Sequence, residues 1–169
     1  MSKIWVSVAA ESQPMPEIDP KTPLANQHAC TEYATYDLSE WPFVMVRIHG
    51  FKPSIEVFTA FLACFDELLS RRAPFCIAFD IRKAALVTYV STLIKFLRAS
   101  KPKIEQTLVC STIITNSDTL KLALSVVFAS QPPAKPNERV TNEAESQEFM
   151  DRKWADFVEA TRAQPAFFE

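Results

Sequence analysis

Residues 74–97 read PFCIAFDIRKAALVTYVSTLIKFL and restrict the fold more than any other stretch. Phe75 to Phe79 form an apolar run that ends on an acid, Asp80. A run this short, without polar alternation, predicts a strand covered on both faces. A basic and small-residue segment follows from Ile81 to Ala85. Val90, Leu93, Ile94 and Leu97 then recur at helical spacing, predicting a helix from about residue 88 to 100, stopped at Lys101-Pro102. A buried strand, a loop and a helix in succession place this stretch at the centre of an α/β sheet.

The flanking segments repeat the pattern. Residues 30–37 alternate weakly and residues 43–49, FVMVRIH, alternate firmly, with Val44, Val46 and Ile48 on one face. The short polar connection between them predicts a hairpin. Ser54 is placed to cap a helix whose apolar stripe is Phe58, Phe61, Leu62, Phe65, Leu68 and Leu69. Residues 107–115, TLVCSTIIT, predict a β-branched strand, with Asn116, Ser117 and Asp118 capping the next helix. Residues 138–141 suit a short edge strand, and Asn142 with Glu145 suits a capping box for a last helix. The expected organisation is an extended proline-rich arm over 1–29, an α/β domain over 30–160 and a tail over 161–169. The expected fold is a mixed sheet, an N-terminal hairpin followed by alternating helix and strand, with helices packed mainly on one face.

Composition narrows the chemistry. The chain has one glycine, Gly50, against twelve prolines. Phosphate-cradling loops need several glycines for close backbone approach, so neither a P-loop nor a dinucleotide fingerprint can be built. A net charge of -2 and no basic stripe argue against nucleic acid as a partner. No run approaches the ~18 apolar residues of a membrane span. The opening MSKIWVSVAA is too short in apolar residues for a signal peptide. Cys64, Cys76 and Cys110 fall within predicted elements and read as buried free thiols, which places the chain in a reducing compartment, cytoplasmic and soluble. Cys30 near His28 and the lone His49 lack the spacing of a metal site, and no cofactor is implied.

In open α/β sheets the usual site lies beyond the carboxyl ends of the strands. Asp80, Arg82, Lys83, Asn116, Ser117 and Asp118 belong to that edge, with His49 at the end of the hairpin. The plainer reading pairs Asp80 with Arg82 and leaves the rest as helix caps and solvated charges. No G-x-S-x-G elbow and no paired carboxylates are present, so no enzyme is expected.

The succession FVMVRIHG, FTAFLACFDELLSRR, FCIAFDI, STLIKFL, TLVCSTIIT and ERVTNEAESQEFM resembles the STAS domain superfamily, and within it the SpoIIAA-like branch, over residues 31–158. The resemblance implies a non-enzymatic module acting through a protein partner, switched in its bacterial members by phosphorylation of a serine that begins the second helix. The family pattern there is Asp-Ser-Ser-Gly. Here Thr88, Tyr89, Val90 and Ser91 come into register, and Tyr89 and Val90 occupy the serine positions. The switch serine is therefore missing.

Two functions follow as expectations. The first is a protein–protein interaction or assembly module, a homo-oligomer or a subunit. Its switch or interaction loop would be Asp80, Arg82, Lys83, Thr88, Tyr89 and Ser91, and its partner contacts Trp5, Phe167 and Phe168 on the arms. The alternative is a small-molecule or lipid carrier lined by Phe58, Phe61, Phe65, Tyr89 and Phe96.

Overall fold

The structure, a computed structural model, describes residues 32–85 and 89–163. Within them lie five strands and four helices. A hairpin of β1 (Ala34–Asp37) and β2 (Phe43–Ile48) leads to α1 (Ile55–Ser70) and β3 (Phe75–Asp80). Next come α2 (Val90–Thr107), β4 (Leu108–Ile114), α3 (Asp118–Ser130), β5 (Asn137–Val140) and α4 (Glu143–Ala163). The sheet runs in chain order, β1-β2-β3-β4-β5. β1 pairs antiparallel with β2, and every later pairing is parallel. The mixed α/β sheet read from the sequence is therefore present.

Chain order decides the layers. Each crossover from β2 to β5 steps the same way across the sheet, and right-handed crossovers that step one way stack their helices on one face. α1, α2 and α3 accordingly share a face with Val44, Val46, Ile48, Phe75 and Ile77 beneath. The other face carries Cys76, Ala78 and Cys110, and α4 closes it with Phe149 and Met150. A buried hydrogen bond of 2.6 Å between Thr112 Oγ1 and Ser146 Oγ pins α4 to β4.

Local sequence explains most boundaries. The Ser54 hydroxyl accepts the Val57 N–H at the start of α1, and Ser117 accepts the Leu120 N–H at the start of α3. At α4 the capping box is shifted by one residue. Asn142 Oδ1 takes the Glu145 N–H, but the Glu145 carboxylate reaches back to Thr141 N and Oγ1. The left-handed turn after α1, where glycine usually sits, is made by Arg72 at φ 56°.

Two expectations are corrected. α2 does not stop at Lys101-Pro102 but continues to Thr107 with Pro102 inside it. An internal proline costs about 3 kcal/mol. The turns around it recover this by burying Ser100, Ile104 and Thr107, and by the Lys103 ammonium meeting both Asp66 carboxylate oxygens at 2.8 Å. The second correction concerns the thiols. Cys76 and Cys110 are free and buried, but Cys64 is disulfide-bonded. Cys64 is only half-buried on α1, whereas Cys76 and Cys110 are sealed between the strands and α4. A disulfide removes the premise from which a reducing compartment was argued.

Candidate functional site

The carboxyl edge of the parallel strands holds a chain of alternating charges. Asp80 Oδ1 accepts from Arg82 N at 3.1 Å and Nε at 2.9 Å, and Oδ2 accepts from Nη2 at 2.7 Å. Arg82 Nη2 also donates to Glu143 Oε1 at 3.2 Å, and Arg47 Nη2 donates to Glu143 Oε2 at 3.3 Å. Arg47 Nη1 then reaches Asp37 Oδ2 at 3.6 Å. The hydrogen bonds from Arg82 hold the Asp80 carboxyl below its usual range, and those from Ser39 do the same for Asp37. A carboxylate so engaged is a poor proton acceptor near neutral pH. The network fastens β1, β2, the loop after β3 and the start of α4 to one another.

Of the residues predicted for this edge, the structure joins Asp80 and Arg82 and adds Arg47 and Glu143, which sequence reasoning missed. Alternation on β2 put Arg47 on the α4 face, but nothing in the order of residues brings Glu143 to it across 96 positions. Lys83 and Ser91 are exposed. The Tyr89 hydroxyl donates to Pro53 O at 3.3 Å and its ring packs on Phe58. Ser117 caps α3, Asp118 forms an exposed pair with Lys121, and His49 Nε2 lies 2.9 Å from Thr35 Oγ1. Thr88, Trp5, Phe167 and Phe168 lie outside the described residues. Among the described residues, no group of three His, Cys, Asp or Glu is placed to hold a metal ion.

A second region has a different chemistry. Between the sheet and the layer of α1, α2 and α3 lies a cavity of about 190 Å³. α1 contributes Phe58, Phe61, Leu62 and Phe65, α2 contributes Leu93, Leu97, Lys101 and Ile104, and α3 contributes Leu124, Val127 and Phe128. Phe79, Ser111 and Ile113 project from the sheet below. The cavity lies under the amino-terminal part of α2. Leu93 and Leu97, on its inner stripe, remain half-exposed, whereas Ile104 two turns on is 7% exposed. Tyr33 ends the cavity with an edge-to-face contact to Phe61 at 5.3 Å, and burial raises its hydroxyl pKa.

Three of the five aromatics proposed as carrier lining do line it. Tyr89 and Phe96 do not, because their rings pack outside it against Phe58 and Phe65. The aliphatic floor and the stretch Gln131 to Lys135 were missed. A helical stripe fixes which face turns inward but not whether the helix reaches the sheet.

No helix among the described residues is long and apolar enough to cross a membrane. No family model, curated protein or solved structure matches this chain.

Proposed function

We propose that this protein is a non-catalytic carrier or sensor domain that holds a small apolar molecule between its sheet and its three-helix layer. The cavity carries this reading. Native interiors are close-packed, so an apolar pocket between sheet and helices stands out as a place for a ligand. A partly open pocket of about 190 Å³ lined largely by aromatic and aliphatic side chains has room for a molecule of benzene size, which an apolar cavity of about 150 Å³ holds. The element order, a hairpin followed by alternating helices and strands, supports a STAS-like arrangement for the scaffold. The bidentate engagement of Asp80 by Arg82 gives no support to chemistry at the strand ends.

The experiment is native mass spectrometry of gently purified protein, followed by NMR titration of the delipidated protein with benzene and 1-octanol. A co-purified mass, or saturable shifts at residues such as Leu97 and Ile113, is the expected result. The absence of both rejects the carrier reading.

A second reading, contact with a protein partner or a second copy, is favoured by one observation. Leu122 and Val126, one turn apart on α3, are 68% and 54% exposed. Such a stripe suits an interface core. Replacing both with lysine should shift the sedimentation of any assembly toward the monomer, and unchanged sedimentation rejects this surface.

A further inference from the structure

The cavity is asymmetric, and the asymmetry specifies a ligand. One end lies toward the carboxyl edge of β2 and β3 and is closed by Tyr33, Ile48, Ile81 and Ala84. The other lies toward the start of β5, where Asn137 pairs with Ser111 in the middle of β4. Apart from Tyr33, the polar residues of the wall come from the later half of α2 (Lys101), the middle of β4 (Ser111) and the segment from the end of α3 to the start of β5 (Gln131, Lys135 and Asn137). The lining includes two cations and no carboxylate.

The two lysines are not consumed by internal pairing. Lys101 has a single exposed partner, Glu105, at 3.8 Å one turn along the same helix. Lys135 has no ion pair among the described residues. Asn137 Nδ2 already donates to Ser111 Oγ at 2.8 Å, which orients this pair at the rim. An apolar tube with its donors and positive charge at one end matches a molecule with an apolar tail and an anionic head.

Resting on the carrier reading above, we infer that the cavity takes a single-chain amphiphile with a carboxylate head, tail inward toward Tyr33 and head at Lys101 and Lys135. A neutral tail of the same length fills the same volume but brings no charge to the two lysines. A charge-assisted hydrogen bond is stronger than a neutral one, so the acid should bind roughly tenfold more tightly than the alcohol.

The test titrates the full chain with octanoate and with 1-octanol by calorimetry, at low salt. Octanoate is expected to bind at least about tenfold more tightly, and Lys101→Glu with Lys135→Glu should abolish that preference, read as the ratio of the two affinities. Lys101→Gln and Lys135→Gln singly, each checked by a thermal melt, should each remove part of it. If octanol binds as tightly as octanoate, or the charge reversal leaves octanoate binding intact, the assignment of the head group is overturned and the apolar cavity stands as a site. If neither molecule binds, the carrier reading itself is rejected, and this assignment with it.

Discussion

Substituting Leu97 with Phe gives opposite signs according to whether the cavity is real. Leu97 lies on the inner stripe of α2, is half-buried and forms part of the cavity wall. Phe adds three carbons, and a buried methylene contributes about 0.8 kcal/mol, so the gain is at most about 2 kcal/mol. Phe is a poorer helix former than Leu, which takes back ~0.5 kcal/mol. The expected outcome is stabilisation of about 1 kcal/mol, together with weaker binding of any cavity ligand. Leu68 provides the control. It lies on α1, is 0% exposed and does not line the cavity, so Leu68→Phe should overpack the core and cost about 1–3 kcal/mol. Urea denaturation of both variants, with the slope checked for constancy, measures the two signs. If Leu97→Phe destabilises the chain as Leu68→Phe does, α2 is already seated on the sheet and the cavity argument collapses.

Three further outcomes probe the scaffold. Thr112→Val and Ser146→Ala should each cost about 1–2 kcal/mol by orphaning a buried hydroxyl, yet the double variant should cost much less than their sum; additive costs in chemical denaturation would mean that the 2.6 Å bond does not hold α4. The Asp80 pKa is lowered in the fold, so its contribution is present above the ordinary carboxylate range near ~4 and is lost as pH falls through the lowered value. Asp80→Asn should therefore cost about 1 kcal/mol at pH 7, allowing for solvent screening, and converge with the parent below about pH 3 in melts; a difference that persists at low pH would assign the loss to packing. Arg72→Gly should raise stability by roughly 0.5–1 kcal/mol, because relief of a left-handed conformation exceeds the added chain entropy; a lowered melting midpoint would contradict this.

The elements were legible because their signals are local. The alternation of Val44, Val46 and Ile48, the serine caps of α1 and α3, and the unbroken run of β3 each depend on residues within a few positions. The misjudged features depend on partners distant in sequence. Pro102 marks a helix stop on local cost alone, but Asp66, 37 residues before Lys103, helps to carry the helix through it. Cys64 follows a helical pattern in the sequence, and its side chain is nevertheless in a disulfide. Arg47 and Glu143 stand 96 positions apart, and only the fold brings them within 3.3 Å. Phe96 has the right character for a pocket and the wrong azimuth on α2, where it packs on Phe65.

The displacement of the candidate site from the strand ends to the helix layer has a topological cause. Ligand crevices open at the carboxyl edge of an α/β sheet where the strand order reverses, because the helices leaving the two strands then depart to opposite faces. This sheet never reverses among β2 to β5, so α1, α2 and α3 all depart to one face, without the reversal that opens a crevice at the strand ends. The loops at that edge can come together, and the Asp80, Arg82, Glu143 and Arg47 chain is the result. Three helices stacked on one face of a twisted sheet must all fit the same curved surface. The middle one, α2, is seated at Ser100, Ile104 and Thr107 and held to α1 by Lys103, so its amino-terminal half spans the sheet without filling the space beneath. The same succession of elements that ties the strand-end loops together thus leaves an apolar pocket under α2. Residues facing that space, Leu97 above and Ile113 below, are where substitutions will report on function.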